Sequence, residues 1–181
     1  ALPLPDFRAA ERTFQLIAQV TGRAGRATGT QPGDTSGGDL AIVQTFNPHD
    51  PTITLACQHD YPGFATRELE LRRPVSLPPV GRMARIVLRH PDQAKAHAAA
   101  EQLADRLAGH REQLGSPVKL RGPSPCPLSR LGDHFRLQVE LLAPPPNAAA
   151  SLQKLLTAAR NAGHVRSDTH MAVDVDPTHL L

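Results

Sequence analysis

The residues best suited to chemistry lie in Gln19-Val-Thr-Gly-Arg-Ala-Gly-Arg26, where two arginines stand three positions apart beside two glycines. Glycine permits a tight turn and a close approach of backbone to ligand. From such a base Arg23 and Arg26 would point the same way. A planar guanidinium matches the spread negative charge of a transferring phosphoryl group, as an arginine finger does. Gln19 precedes Arg23 by one helical turn and can add a hydrogen bond, while Gly22 keeps the backbone close. The competing reading of so short a motif is a solvated basic loop.

Those arginines need elements to position them. After Asp6, the residues Phe7, Ala10, Phe14, Ile17 and Thr21 recur at spacings of three and four, which predicts an amphipathic helix ended by Gly22. Residues 22–38 then read as a glycine- and arginine-rich loop. Leu40-Ala-Ile-Val-Gln-Thr-Phe46 is apolar on both faces, the pattern of a strand inside a parallel sheet. Such a strand needs neighbours on both sides, so residues 1–50 are expected to pack loosely by themselves. Asn47–Pro51 is a turn, and 52–73 reads as helical with an interruption near Pro62-Gly63.

Pro74 to Gly81 contains three prolines and is expected to separate two parts, 1–73 and 82–181. Beyond it, 82–89 reads as a strand, 92–114 as a helix stopped by Gly115, and 118–121 as a short strand. Residues 122–133 read as a proline-rich loop. His134–Ala143 alternates, with Phe135, Leu137, Val139 and Leu141 on one face and His134, Arg136, Gln138 and Glu140 on the other. A helix over 148–162 ends at Gly163, and Met171, Val173 and Val175 mark a last strand, with Asp174 and Asp176 on its outer face. The expected class is mixed α/β, with the order βαββαβ from residue 82 giving an α+β, ferredoxin-like domain.

Composition fits a soluble globular chain: of 181 residues, 40% are hydrophobic and 20% charged. With 3% aromatics and no Trp, the core must be built of aliphatic side chains. A net charge of +3 permits contact with nucleic acid without requiring it. No apolar run is long enough to span a bilayer, no signal-peptide pattern is present, and a cytoplasmic location is expected. Cys57 and Cys126 match no zinc or redox spacing. His49, His59 and Asp60 fall in a turn region and read as coincidence rather than a metal site. The start at Ala1, running at once into a helix, suggests a piece of a longer protein.

Leu4 to Leu16, with Gln19 to Arg26, closely resembles motif VI of the PriA replication-restart helicases and the segment before it. Gln44-Thr-Phe-Asn-Pro, Asp60-Tyr-Pro-Gly-Phe with Glu68-Leu, Arg72-Arg with Pro78-Pro79, Gly122-Pro-Ser-Pro and Asp174-Val-Asp-Pro177 agree in order. The resemblance covers nearly the whole chain. It implies that 1–73 is the end of a RecA-like helicase lobe and that 82–181 is the family's C-terminal domain. It implies an ATP-dependent 3′→5′ DNA helicase that binds stalled or branched forks and restarts replication by primosome assembly.

The ligands implied are ATP and Mg²⁺, with Arg23 and Arg26 on the γ-phosphate and Gln19 and Gly22 beside them. The implied partners are forked or single-stranded DNA, other primosome proteins and the acidic tail of single-stranded-DNA-binding protein. The tail site carries over to His134, Arg136 and Gln138, and Arg121 and Arg130 join these as candidate DNA contacts. A terminal carboxylate can pair with a cationic strand face, although Glu140 beside Arg136 keeps a merely solvated face as the alternative. No Gly-x-x-x-x-Gly-Lys-Ser/Thr and no Asp-Glu-x-His occurs. This chain by itself is therefore expected to be inactive as an ATPase, and the family's zinc cysteines are expected in upstream sequence. A second reading is a non-catalytic DNA- or protein-binding module of a degenerate PriA-like protein.

Overall fold

The computed structural model describes residues 6–24 and 41–178. The chain divides into two compact units, Ala1–Glu68 and Leu69–Leu181.

In the first unit, α1 spans Ala9–Ala24, α2 spans Pro51–Cys57, and α3 begins at Tyr61 and runs on to Arg72. Each start is set by an aspartate. Asp6 accepts from the Arg8 backbone N–H at 3.0 Å, and its buried carboxylate pairs with Arg12 at 3.0 Å. Asp50 caps α2 through Thr52 N at 2.8 Å, with Pro51 at the first helical position. Asp60 caps α3 through Gly63 N at 2.9 Å, so Pro62 and Gly63 lie in the first turn of α3 and the helical interruption falls just before them. Phe14 stacks on Phe64 with centroids 4.4 Å apart and meets Tyr61 edge-on at 6.0 Å. Ala56 completes this small core, with Ala10, Ile17, Ala18 and Leu55 around it.

Two expectations for this unit are overturned. Gly22 does not end α1, which continues to Ala24; a single glycine costs a helix only about 1 kcal/mol, and Thr21 Oγ1 bonds back to Ile17 O at 2.9 Å. Residues 41–46 form no strand, and Ile42 and Phe46 are exposed. An apolar run becomes a buried strand only where other strands accept its hydrogen bonds, and no strand lies among the described residues of this unit.

The second unit is a four-stranded antiparallel sheet with two helices. Its strands are β1 (Arg82–His90), β2 (Lys119–Leu131), β3 (His134–Ala143) and β4 (Met171–Val175), with α4 (Gln93–Gln113) and α5 (Ala148–Asn161) between them. The sheet order is β2-β3-β1-β4, which is the split βαβ arrangement. Ala84, Ile86 and Leu88 of β1 join Leu137, Val139 and Leu141 of β3 in one core with Ala96, Ala100, Leu103 and Leu107 of α4 and Leu152, Leu155, Leu156 and Ala159 of α5. Asp92 caps α4 through Lys95 N at 3.1 Å. Gly115 follows α4 at φ +56, the left-handed conformation that closes a helix.

Residues 73–81 turn, with Arg72 Nη1 on Pro78 O at 3.0 Å. At the far end Asp176, just past β4, accepts from Met83 N at 3.2 Å and pairs with Arg82, fastening β4 to β1.

The proline-rich segment is not a loop. β2 extends through it to Leu131 and pairs with β3 as far as His134. β2 is an edge strand, where missing N–H groups face no neighbour. The prolines show instead as register shifts, between Arg121 and Ser124 and between Pro125 and Arg130. Gly122 absorbs the first at φ +96, where a Cβ would meet Gln138 O at 2.7 Å.

Candidate nucleic-acid interface

Strand alternation sorts the sheet's polar side chains. Leu137, Val139 and Leu141 of β3 belong to the helix-side core, so His134, Arg136, Gln138 and Glu140 lie on the opposite face. Register adds Arg85 opposite Glu140 and Arg89 opposite Arg136 on β1, Asp174 opposite Arg85 on β4, and Arg121 opposite Glu140 on β2. The candidate residues Arg121, His134, Arg136 and Gln138 therefore share a face.

Arg130 lies on the other face by register and meets only Arg136 of them, at a shared groove. It pairs with Phe135 in the β2–β3 register, and its guanidinium lies 5.2 Å from the Phe135 ring centroid, in cation–π contact. With Gln93, His97, Pro125, Leu137 and Arg136 these two line a groove of about 310 Å³ beside the start of α4.

Gln138 does not face solvent as the alternation implied. It is 8% exposed, and Arg85 beside it is 3% exposed. Arg85 Nε donates to Gln138 Oε1 at 2.7 Å, and Gln138 Nε2 donates to Glu140 Oε1 at 3.3 Å. Burial pushes the Glu140 carboxyl up, against the downward pull of Arg121 and Arg85. This chain of bonds is a support inside the sheet: a buried charge persists only where it is paired and hydrogen-bonded.

The sequence reading missed Arg85 and Arg89. The signal was available in Arg-Met-Ala-Arg-Ile-Val-Leu-Arg, because period-two alternation puts Arg85, Val87 and Arg89 together opposite the apolar Ala84, Ile86 and Leu88. Arg85 Nη2, Arg89 Nε and Arg136 Nε are shielded from water and have no hydrogen-bond partner. Among the described residues Arg136 finds one acceptor, Leu128 O, 3.2 Å from Nη1.

In the first unit Gln19 and Arg23 lie one turn apart on the exposed face of α1, with Gly22 inside the helix. Arg23 thus projects from a helix and not from a glycine turn. Thr21 Oγ1 lies 3.3 Å from His59 Nε2, which ties this end of α1 to the α2–α3 turn. Arg26 lies outside the described residues. Cys57 is exposed and Cys126 buried, both as free thiols. Among the described residues no three His, Cys, Asp or Glu side chains gather as a metal site, and no helix is long and apolar enough to cross a membrane.

A split βαβ sheet with both helices on one face and arginines on the other defines the second unit as an α+β domain. Residues 73–178 match the family described as the primosomal protein N C-terminal domain, and the chain belongs to that family. The whole chain is also similar to proteins named replication restart protein PriA. That of Bacillus subtilis (strain 168) is 34% identical over 180 residues, covering 99% of this chain and 21% of that protein. That of Treponema pallidum (strain Nichols) is 33% identical, covering 99% and 25%, and that of Synechocystis sp. is 32% identical, covering 99% and 20%. The chain thus spans about a quarter or less of the length of these relatives.

Proposed function

We propose that this chain is the C-terminal portion of an ATP-dependent 3′→5′ DNA helicase that binds stalled or branched replication forks and restarts replication by primosome assembly in the cytoplasm. The observation that carries the reading is similarity across 99% of the chain to replication restart protein PriA, far beyond the domain that the family match covers. Arg23 supports the motor part of the reading, since it stands exposed at the end of α1 with Gln19 one turn before it. A guanidinium there can be offered to a phosphate held by other parts of the protein. ATP and Mg²⁺ would supply the phosphoryl-transfer chemistry, and this chain's part is limited to that guanidinium. In this reading zinc is held by cysteines outside this chain. The acidic tail of single-stranded-DNA-binding protein and other primosome proteins are the protein partners in this reading.

For the second unit the reading is contact with DNA. Arg121 and Arg136 present charge from one face of the sheet, and Arg130 with Phe135 offers a stacked cation at a groove on the other. Fluorescence anisotropy with labelled forked and single-stranded DNA, across a salt series, tests it. The expected result is binding that weakens steeply with salt, because phosphate contacts release counterions. A labelled acidic tail peptide tests the protein partner in the same assay. Failure to bind either ligand at low salt would sink the role assigned to this chain.

A further inference from the structure

At the α4 end of the sheet a row of basic side chains crosses three strands on the face away from the helices. Arg89 of β1 stands directly opposite Arg136 of β3. On its other side β1 meets the residue just before β4, where Arg89 N donates to His170 O at 2.8 Å, so His170 stands next in register, with its ring 6.2 Å from that of His90. Like charges directly opposite in an antiparallel pair are unfavourable, and no ion pair of Arg89 or Arg136 occurs among the described residues. The acids of this face lie elsewhere. Glu140 and Asp174 flank Arg85, four residues along β1 from Arg89 and so about 13 Å away, beyond a physiological Debye length of about 8 Å. Asp168 acts by charge on His170, and its Oδ1 accepts from the backbone of His170 at 2.8 Å and of Met171 at 2.9 Å. The Nε atoms of both arginines are buried without a partner. Apart from Leu128 O on Arg136 Nη1, these two opposed arginines therefore have no carboxylate partner and no acceptor among the described residues.

We propose that Arg89, Arg136 and His170 form a phosphate-binding site, which takes a backbone phosphate of a nucleic-acid strand or a free phosphate group. The nucleic-acid source rests on the DNA-contact reading above; the site itself does not. The choice of phosphate over carboxylate follows from shape. One arginine fork occupies both oxygens of a planar carboxylate. A tetrahedral phosphate presents oxygens outside a single plane, so forks from two strands about 5 Å apart can engage it together. The anion neutralises the opposed charges and offers an acceptor to guanidinium N–H groups that the protein leaves unsatisfied.

The test uses the full chain, with the arginine side-chain Nε–H signals followed by two-dimensional ¹H–¹⁵N NMR. The ligands are inorganic phosphate, a short oligothymidylate and a peptide ending in acidic residues. Both Arg89 and Arg136 signals are expected to shift with phosphate and with the oligonucleotide, and to do so at lower concentration than with the peptide. In anisotropy, the R89Q/R136Q variant is expected to reduce the slope of log K against log salt by about 0.7, the value for one phosphate neutralised on a single strand. A backbone fingerprint of the variant like that of the parent shows that the fold is kept.

An unchanged slope with an intact fold overturns the site and leaves DNA contact standing. Shifts with inorganic phosphate in a chain that binds no oligonucleotide support the site and sink the DNA-contact reading. Shifts with the peptide alone overturn the assignment to phosphate.

Discussion

Gln138→Leu separates support from recognition at the polar face of β3. In the parent, Gln138 Oε1 takes the Arg85 Nε–H at 2.7 Å. Arg85 is almost wholly buried, and its Nη2 already lacks a partner. Leucine fills similar space but removes the acceptor. A hydrogen bond to a charged group contributes about 1.5–3 kcal/mol, and a buried charged donor left unsatisfied costs at the upper end of that range or more. The expected loss is about 3 kcal/mol, a large share of the stability of a domain held by about 5–15 kcal/mol. Removing Arg85 as well should recover most of it, because replacing both partners by apolar groups of similar shape is close to neutral. The assay is urea unfolding followed by circular dichroism for the parent, Q138L, R85M and the double variant. With a slope of about 2 kcal/mol per molar, Q138L lowers the midpoint by about 1.5 M. The double variant should lie nearer the parent than additivity allows, with a coupling energy above about 1.5 kcal/mol. Additive losses would refute the reasoning. Full stability of Q138L with weakened ligand binding would return Gln138 to the recognition surface.

Leu107 and Leu155 are wholly buried on the two helices that cover the sheet; each Leu→Ala change should cost about 2–5 kcal/mol, read by the same unfolding curves, and a cost below 1 kcal/mol would show that the core had been misplaced. Phe14→Ala removes the central ring of the first unit and should cost that unit about 3–5 kcal/mol, seen as faster amide exchange through Ala9–Ala24 and Pro51–Cys57; unchanged exchange there would contradict the stacked core. Burial raises the Glu140 pKa above its ordinary value. The folded chain therefore binds that proton more tightly than the unfolded one, and the contribution, complete below about pH 4.3, is lost as pH rises through the raised folded value. Glu140→Gln should gain stability relative to the parent as pH rises from acid to neutral, and parallel stability curves for the two proteins would refute this.

Legibility in the sequence followed how local each signal was. The helices over 93–113 and 148–161 and the strand from His134 were plain, because period and caps lie within each element. The proline-bearing half of β2 reads as a loop, since prolines forbid a central strand and nothing local shows that this strand lies at an edge. Residues 40–46 read as a strand because burial on both faces writes the same apolar run whether or not neighbours exist. In the candidate site, Arg121, His134, Arg136 and Gln138 could be put on one face by alternation. The same rule applied to Arg82–His90 would have added Arg85 and Arg89.

By itself the sequence determined the order of elements from residue 82, the aliphatic core and the pairing of Gln19 with Arg23 on one helical face, all of which depend on residues a turn or a pleat apart. The tertiary structure decided the rest. Register set Arg89 against Arg136 with no acid between them, and it put Arg130 across from Phe135 on the other face. Burial turned Gln138 from a surface group into the partner of Arg85. Those outcomes depend on which strands lie side by side and on what excludes water from them. Both are set by chain segments dozens of residues away, so no local pattern carries them.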